Sequence, residues 1–189
     1  MRDLGTKWTA VPDWSNAVLE APGLKVVTRL GLIQHLVSGD LEAFAARAGL
    51  SGTGVGAFGR ADGDRYMARL ARDRVLAVGD LRFDAPPGWC GAGFAVTPMS
   101  AGFHVFEIAG RSAPAVISRA TTLDPANGGP SASMAFAGVA AIAYFHGDAQ
   151  TLRLHVDRGL AAYLWTWLSA VAGNLSAIDD GGRPALVDG

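Results

Sequence analysis

Hydrophobic and polar positions along this chain switch between two periods, and the switches predict its elements. "LKVVTRLGLI" has the β-branched content of a strand from about Leu24 to Ile33. "SGDLEAFAARAGL" then sets Leu41, Phe44, Ala45 and Ala48 at helical spacing, with Ser38 as the candidate N-cap, Glu42 covering the first turn and Gly49 ending the helix. A glycine-rich loop from Gly52 to Gly59 leads into "RYMARLARDRVLAVGDL", which reads as two strands around a turn near Arg72 and Asp73. The paired prolines and three glycines of "RFDAPPGWCGAG" cannot continue an element, so they break the chain into halves.

The second half repeats the first. "FHVFEIAG" alternates as a strand, and "RSAPAVISRAT" predicts a short helix capped by Ser112 with Pro114 in its first turn. "LDPANGGP" is a loop. "ASMAFAGVAAIAYFHGDAQTLRLHV" gives strands joined at "HGDAQ", and a final helix follows. Two β-α-β-β halves with short connections predict an α+β fold of largely antiparallel sheet with packed helices. The expected organisation is an irregular N-terminal arm over residues 1–22, one domain over 23–174 and a flexible tail over 175–189 that includes Asp179 and Asp180.

The final strand and helix, "TLRLHVDRGLAAYLWTWLSAV", gather two tryptophans and a tyrosine within five residues. At about 100° per residue, Leu160, Leu164, Trp167, Leu168 and Val171 share one stripe, a core face. Trp165 and Tyr163 fall off opposite sides of it. Off-stripe rings of this kind either wrap onto a sheet margin or anchor an interface. In the strand, Leu152, Leu154 and Val156 share one face, which leaves Arg153 and His155 together on the other as a polar or interface pair.

Composition narrows the chemistry. Sixteen basic against seventeen acidic residues leave a net charge of −1, too little to draw nucleic acid or an anionic membrane. Half the residues are apolar and only 17% charged, so the chain has surface to hide in a core or against another protein. One cysteine, Cys90, excludes an internal disulfide and a multi-cysteine zinc site, and it sits in an apolar loop without an evident base. No apolar run spans a membrane and the N-terminus has no leader-like core, which predicts a cytoplasmic protein. Gly54, Gly56 and Gly59 spell G-x-G-x-x-G, as Gly52, Gly54 and Ala57 spell G-x-G-x-x-A. A helix precedes the loop and a strand follows it, the reverse of what a dinucleotide site needs. His35, His104, His146 and His155 lack the close spacing that presents two imidazoles to one metal. These readings assign the chain no catalytic, cofactor-binding or metal-binding residue of its own.

The same C-terminal strand and helix resemble the closing elements of the gamma subunit family of heterotetrameric sarcosine oxidase. Upstream, "VTPMSAGFHVFEIAGRSAPAVISRATTLDP" and "SASMAFAGVAAIAYFHGDAQ" are similar to that family's preceding strands, helix and loop, and the likeness runs from about Leu24 to Ala172. The family is a shortened relative of the folate-binding aminomethyltransferase T-protein, so the resemblance implies a T-protein-like fold. Where the T-protein carries an Arg-Thr-Gly-Tyr-Thr-Gly-Glu turn, this chain has Phe145, His146, Gly147 and Asp148; the Lys-Gly-Cys-Tyr motif of the iron–sulfur-linked branch is also absent. The resemblance therefore implies a folate-protein scaffold without its pocket. It implies a non-catalytic subunit that stabilises a sarcosine-demethylating oxidase, with FAD, FMN, NAD, tetrahydrofolate and zinc held by the other subunits. Arg153, His155, Tyr163 and Trp165 are then expected at or near a subunit boundary. The alternatives are a folate-dependent methyl- or aminomethyl-transferase with a remodelled pocket, or the equivalent subunit of another N-methyl amino acid dehydrogenase.

Overall fold

The structure, a computed structural model, describes residues 11–180 apart from Arg82 and Ala85, with side chains to Leu175. The element order is β1 (Val18–Ala21), β2 (Leu24–Thr28), β3 (Gln34–Gly39), α1 (Leu41–Ala48), β4 (Arg60–Ala61), β5 (Tyr66–Ala71) and β6 (Arg74–Val78). The second half follows with β7 (Gly88–Cys90), β8 (Phe94–Pro98), β9 (Phe103–Ala109), α2 (Ala113–Ala120), β10 (Ser133–Phe136), β11 (Val139–His146), β12 (Leu152–Asp157) and α3 (Ala161–Asp180). The larger sheet runs β1-β2-β9-β12-β11-β10, with β4 added alongside β11; the smaller runs β5-β6-β3-β8-β7. Among the described residues every strand pair is antiparallel except β4 with β11, as the short connections require.

Each half builds its own sheet and lends a hairpin to the other. The β3-α1-β5-β6 unit forms most of the smaller sheet, and β9-α2-β10-β11-β12 most of the larger. The hairpin β1–β2 of the first half pairs with β9, while β7–β8 of the second half pairs with β3. Three apolar clusters hold the layers together. Helices α2 and α3 cover one face of the larger sheet, where Phe106, Ile108, Leu152, Leu154, Val116, Ile117, Leu164 and Leu168 are all buried. Phe44, Ala45 and Ala48 of α1 cover the outer face of the smaller sheet over Val37, Val75, Phe94 and Val96. Between the sheets lie Tyr66, Ala68, Leu76, Val78, Ile142 and Tyr144. Each such Leu, Ile or Phe contributes roughly 1.5–3 kcal/mol by leaving water.

Several expectations need correction. The predicted strand from Leu24 to Ile33 is two strands in different sheets: the chain leaves the larger sheet at Arg29, turns at Gly31 (φ 77°) and enters the smaller one at Gln34. The arm is not irregular throughout, because Val18–Ala21 pairs with β2; residues 1–10 lie outside the described residues. The break between halves contains β7, an edge strand. Asp40, not Ser38, caps α1 by accepting from Ala43 N at 2.9 Å, since Ser38 is still inside β3. Ser112 donates to the Pro22 carbonyl instead of capping α2. Leu160 lies in a single 3₁₀ turn before α3 and is 40% exposed, off the core stripe. Helix α3 continues into the expected tail as far as Asp180, and residues 181–189 lie outside the described residues. No helix among the described residues is long and apolar enough to cross a membrane.

Candidate functional site

Strand alternation sends Glu107 of β9, Tyr144 of β11, and Arg153 and His155 of β12 to the face of the larger sheet that meets the smaller one. Gln34 of β3 and Tyr66 of β5 face them from the smaller sheet. These six side chains form one continuous hydrogen-bonded chain across the interface. Arg153 donates to the Tyr66 hydroxyl from Nη1 at 2.6 Å, and Tyr66 and Tyr144 hydroxyls are 2.8 Å apart. Tyr144 lies 2.6 Å from His155 Nε2, and His155 Nδ1 lies 2.7 Å from Gln34 Oε1. Gln34 Oε1 can only accept, so the network assigns the imidazole proton to Nδ1. Nε2 then accepts from Tyr144, Tyr144 accepts from Tyr66, and every proton points one way.

At the other end Arg153 grips Glu107. Its Nε and Nη2 donate to Oε1 at 3.1 and 2.5 Å, while Arg29 Nε donates to Oε2 at 2.7 Å. Burial alone would raise the Glu107 carboxyl, but the hydrogen bonds and charges of the two arginines prevail and hold it below its ordinary range. Arg153 loses solvation too, yet Glu107 and the tyrosine oxygen keep its guanidinium more firmly protonated than usual. Burial pushes the Tyr66 and Tyr144 hydroxyls up, Tyr144 the further. Burial, aided by the Arg153 charge, pushes His155 down to about 3, so it stays neutral. A neutral histidine between two neutral partners is what the assigned tautomer requires.

A cleft of about 300 Å³ opens beside this chain, lined mainly by Leu36, Leu70, Phe103 and Ile142, with His155 at its base. His155 is fully buried and both ring nitrogens are engaged, so the ring closes the cleft without offering a free base to it. The tyrosine hydroxyls are likewise satisfied within the chain. Chemically this arrangement locks two sheets together: an unpaired group at any link would cost more than the bond it makes.

The residues singled out from the sequence are scattered. Arg153 (5% exposed) and His155 (0%) were expected at a subunit boundary, but they face the chain's own second sheet, and their polar atoms are used there. Trp165 wraps onto the sheet margin, with its ring 6.0 Å from Phe106 and edge-on to Trp14 at 6.0 Å. Tyr163 is 49% exposed, and its hydroxyl donates to the Ala137 carbonyl. His104 is buried on the helix side of the larger sheet, 4.3 Å from the Trp14 ring, with Nε2 unpartnered. Burial and the charge of Arg158 hold His104 at about 4. His35 lies on the opposite sheet, and His146 Nε2 meets the Gly63 carbonyl at 3.0 Å. Cys90 Sγ lies 3.9 Å from Arg47 Nη1. Among the described residues no group of three or more His, Cys, Asp or Glu could hold a metal.

Two loops singled out from the sequence have local structural roles. The glycine-rich loop lies against residues 128–131 and β5, and a Cβ on Gly56 would sit 1.9 Å from the Gly129 carbonyl oxygen. Close backbone approach explains that glycine. Asp148 is fully exposed at the hairpin tip, where Oδ1 accepts from Gln150 N and Thr151 N and so shapes the turn. Sequence reading missed Glu107, Tyr66, Tyr144 and Gln34. Alternation alone could have put Glu107 and Arg153 on matching faces of their strands; nothing local paired Tyr66 with Tyr144.

The class of protein defined by this geometry is a pair of stacked antiparallel sheets flanked by helices and joined by a buried polar chain. No protein-family model and no curated protein matches the sequence. Among solved structures, a chain of the heterotetrameric sarcosine oxidase from Corynebacterium sp. U-96, in complex with pyrrole 2-carboxylate, has this fold: the TM-score is 0.66 at 15% identity. The match covers 84% of this chain and 88% of that one, so the two are of similar length and are alike through nearly their whole fold.

Proposed function

We propose that this chain is a non-catalytic, gamma-type subunit of a cytoplasmic, heterotetrameric flavin-dependent sarcosine oxidase. Its task is to complete and stabilise the assembly, while FAD, FMN, NAD, tetrahydrofolate and zinc reside on the other subunits. The observation that carries this reading is the likeness to a chain of a sarcosine oxidase along most of the length of both. The interior supports it: among the described residues, Tyr66, Tyr144, Arg153, His155 and Gln34 between the sheets satisfy one another. The turn at Asp148, spent on its own backbone, is consistent with a scaffold that does not grip a pteridine.

Co-expression with the flavin-bearing subunits of such an oxidase, followed by gel filtration, tests the reading. Co-elution with flavin absorbance and sarcosine-dependent peroxide formation is the expected result. A chain that elutes alone and flavin-free in the presence of those subunits would overturn it, as would micromolar binding of tetrahydrofolate to the purified chain.

A further inference from the structure

The hairpin β1–β2 forms one edge of the larger sheet, and its two faces meet different surroundings. Leu19 and Ala21 turn to α3 and pack on the main core. Register sets the opposite face: Val18 pairs with Val27 and Glu20 with Lys25, and Arg29 lies one rung beyond Val27 on the same side as Glu107. That face is open. Val18 is 51% exposed, and the side chains of Lys25, Glu20 and Arg29 are 59%, 66% and 57% exposed. Leu30, next along the chain, is 51% exposed as well.

Charge decides what would cover it. Glu107 is one carboxylate held between two guanidiniums, Arg153 and Arg29, so the cluster carries one uncompensated positive charge. Arg153 is buried, which leaves the surplus at Arg29 on the open face. Glu107 fixes Arg29 through Nε, and Nη1 and Nη2 of Arg29 have no hydrogen-bond partner among the described residues. A guanidinium anchored from behind presents its free edge as a fork suited to a carboxylate. Lys25 is already paired with Glu20 at 2.9 Å, so the face has one cationic point and not a basic stripe for a polyanion.

Resting on the subunit reading above, we infer that the open face of the β1–β2 hairpin is a docking surface for a partner subunit, whose segment sets a carboxylate on Arg29 and apolar side chains on Val18 and Val27. Glu107 is then a positioning residue that orients Arg29.

The test uses the complex formed by co-expression, with R29A and V18D variants of this chain. Val18 is exposed, so isolated V18D should melt like wild type, whereas R29A also strips one partner from the buried Glu107 carboxylate and its association is measured well below its own melting temperature. The expected result is a roughly tenfold weaker association for each, with the salt dependence of binding flattened in R29A. R29K, which keeps charge but loses the fork, should recover only part. In the wild type, amides of residues 18–29 should gain hydrogen-exchange protection on assembly, a readout independent of any variant. If wild type assembles but both variants bind equally well and no protection appears, this docking surface is wrong and the subunit reading survives. If wild type does not assemble at all, both fall.

Discussion

Removing one hydroxyl from the middle of the buried chain should be far more damaging than its size suggests. In Tyr144→Phe the ring stays, but Tyr66 loses its acceptor at 2.8 Å and His155 Nε2 loses its donor at 2.6 Å. Both stranded groups are buried, and each buried unsatisfied group costs about 1–3 kcal/mol. The Tyr66 hydroxyl still accepts from Arg153, which moderates its share. The net expectation is a loss of about 3 kcal/mol, or roughly 6–12 °C in melting temperature for a chain of this length. Tyr163→Phe is the matched control: its hydroxyl meets one carbonyl at 2.9 Å on a half-exposed ring, and its loss should stay below about 1 kcal/mol. Urea unfolding of wild type, the two single variants, Tyr66→Phe and the Tyr66→Phe/Tyr144→Phe pair would complete the cycle. The two tyrosine changes should be less than additive by about 1 kcal/mol or more, because they remove the same hydroxyl–hydroxyl bond. A Tyr144→Phe protein as stable as Tyr163→Phe would refute the idea that this chain of bonds holds the sheets together.

Acid should destabilise the fold through its histidines. His155 and His104 are held at about 3 and about 4 against 6.5 in the unfolded chain, so the unfolded state binds more protons in between. Their contribution is complete above about pH 6.5 and declines as pH falls toward 4, which a melting-temperature series would record. His104→Phe removes an unpartnered buried nitrogen beside Trp14 and Phe106 and should flatten that decline. Asp40→Ala should cost about 1 kcal/mol of stability by uncapping α1, whereas Ser38→Ala should leave the helix cap intact. Gly56→Ala should destabilise by about 1–3 kcal/mol or prevent folding, because its Cβ would overlap the Gly129 carbonyl. Gly173→Ala, on an open helix surface, should stabilise by about 0.5–1 kcal/mol in the same unfolding assay.

Local pattern carried the sequence reading where one element decides its own state. The hairpin β5–β6 around Arg72 and Asp73, the helix ending at Gly49 and the strands meeting at "HGDAQ" follow from period and turn chemistry. It failed where a distant partner decides. "LKVVTRLGLI" keeps its apolar residues on both sides of Arg29, so no change of period marks the crossing between sheets from Arg29 to Ile33. "VLEA" and "GWC" are too short to show a period, and they become strands because β2 and β8 pair with them. Arg153 and His155 illustrate the limit for sites. Alternation placed them correctly on one face, but that face is met by another sheet of the same chain, and only the fold brings Tyr66 and Gln34 to them.

Under the proposed function the chain works as a part of a larger flavin enzyme and not as an enzyme by itself. Native mass spectrometry of the complex isolated through a tag on this chain measures that directly. The expected result is a particle in which this chain, free of any small molecule of its own, sits with flavin-bearing subunits. A particle containing this chain alone, or one in which a pterin or flavin stays with this chain after the subunits are dissociated, would contradict it.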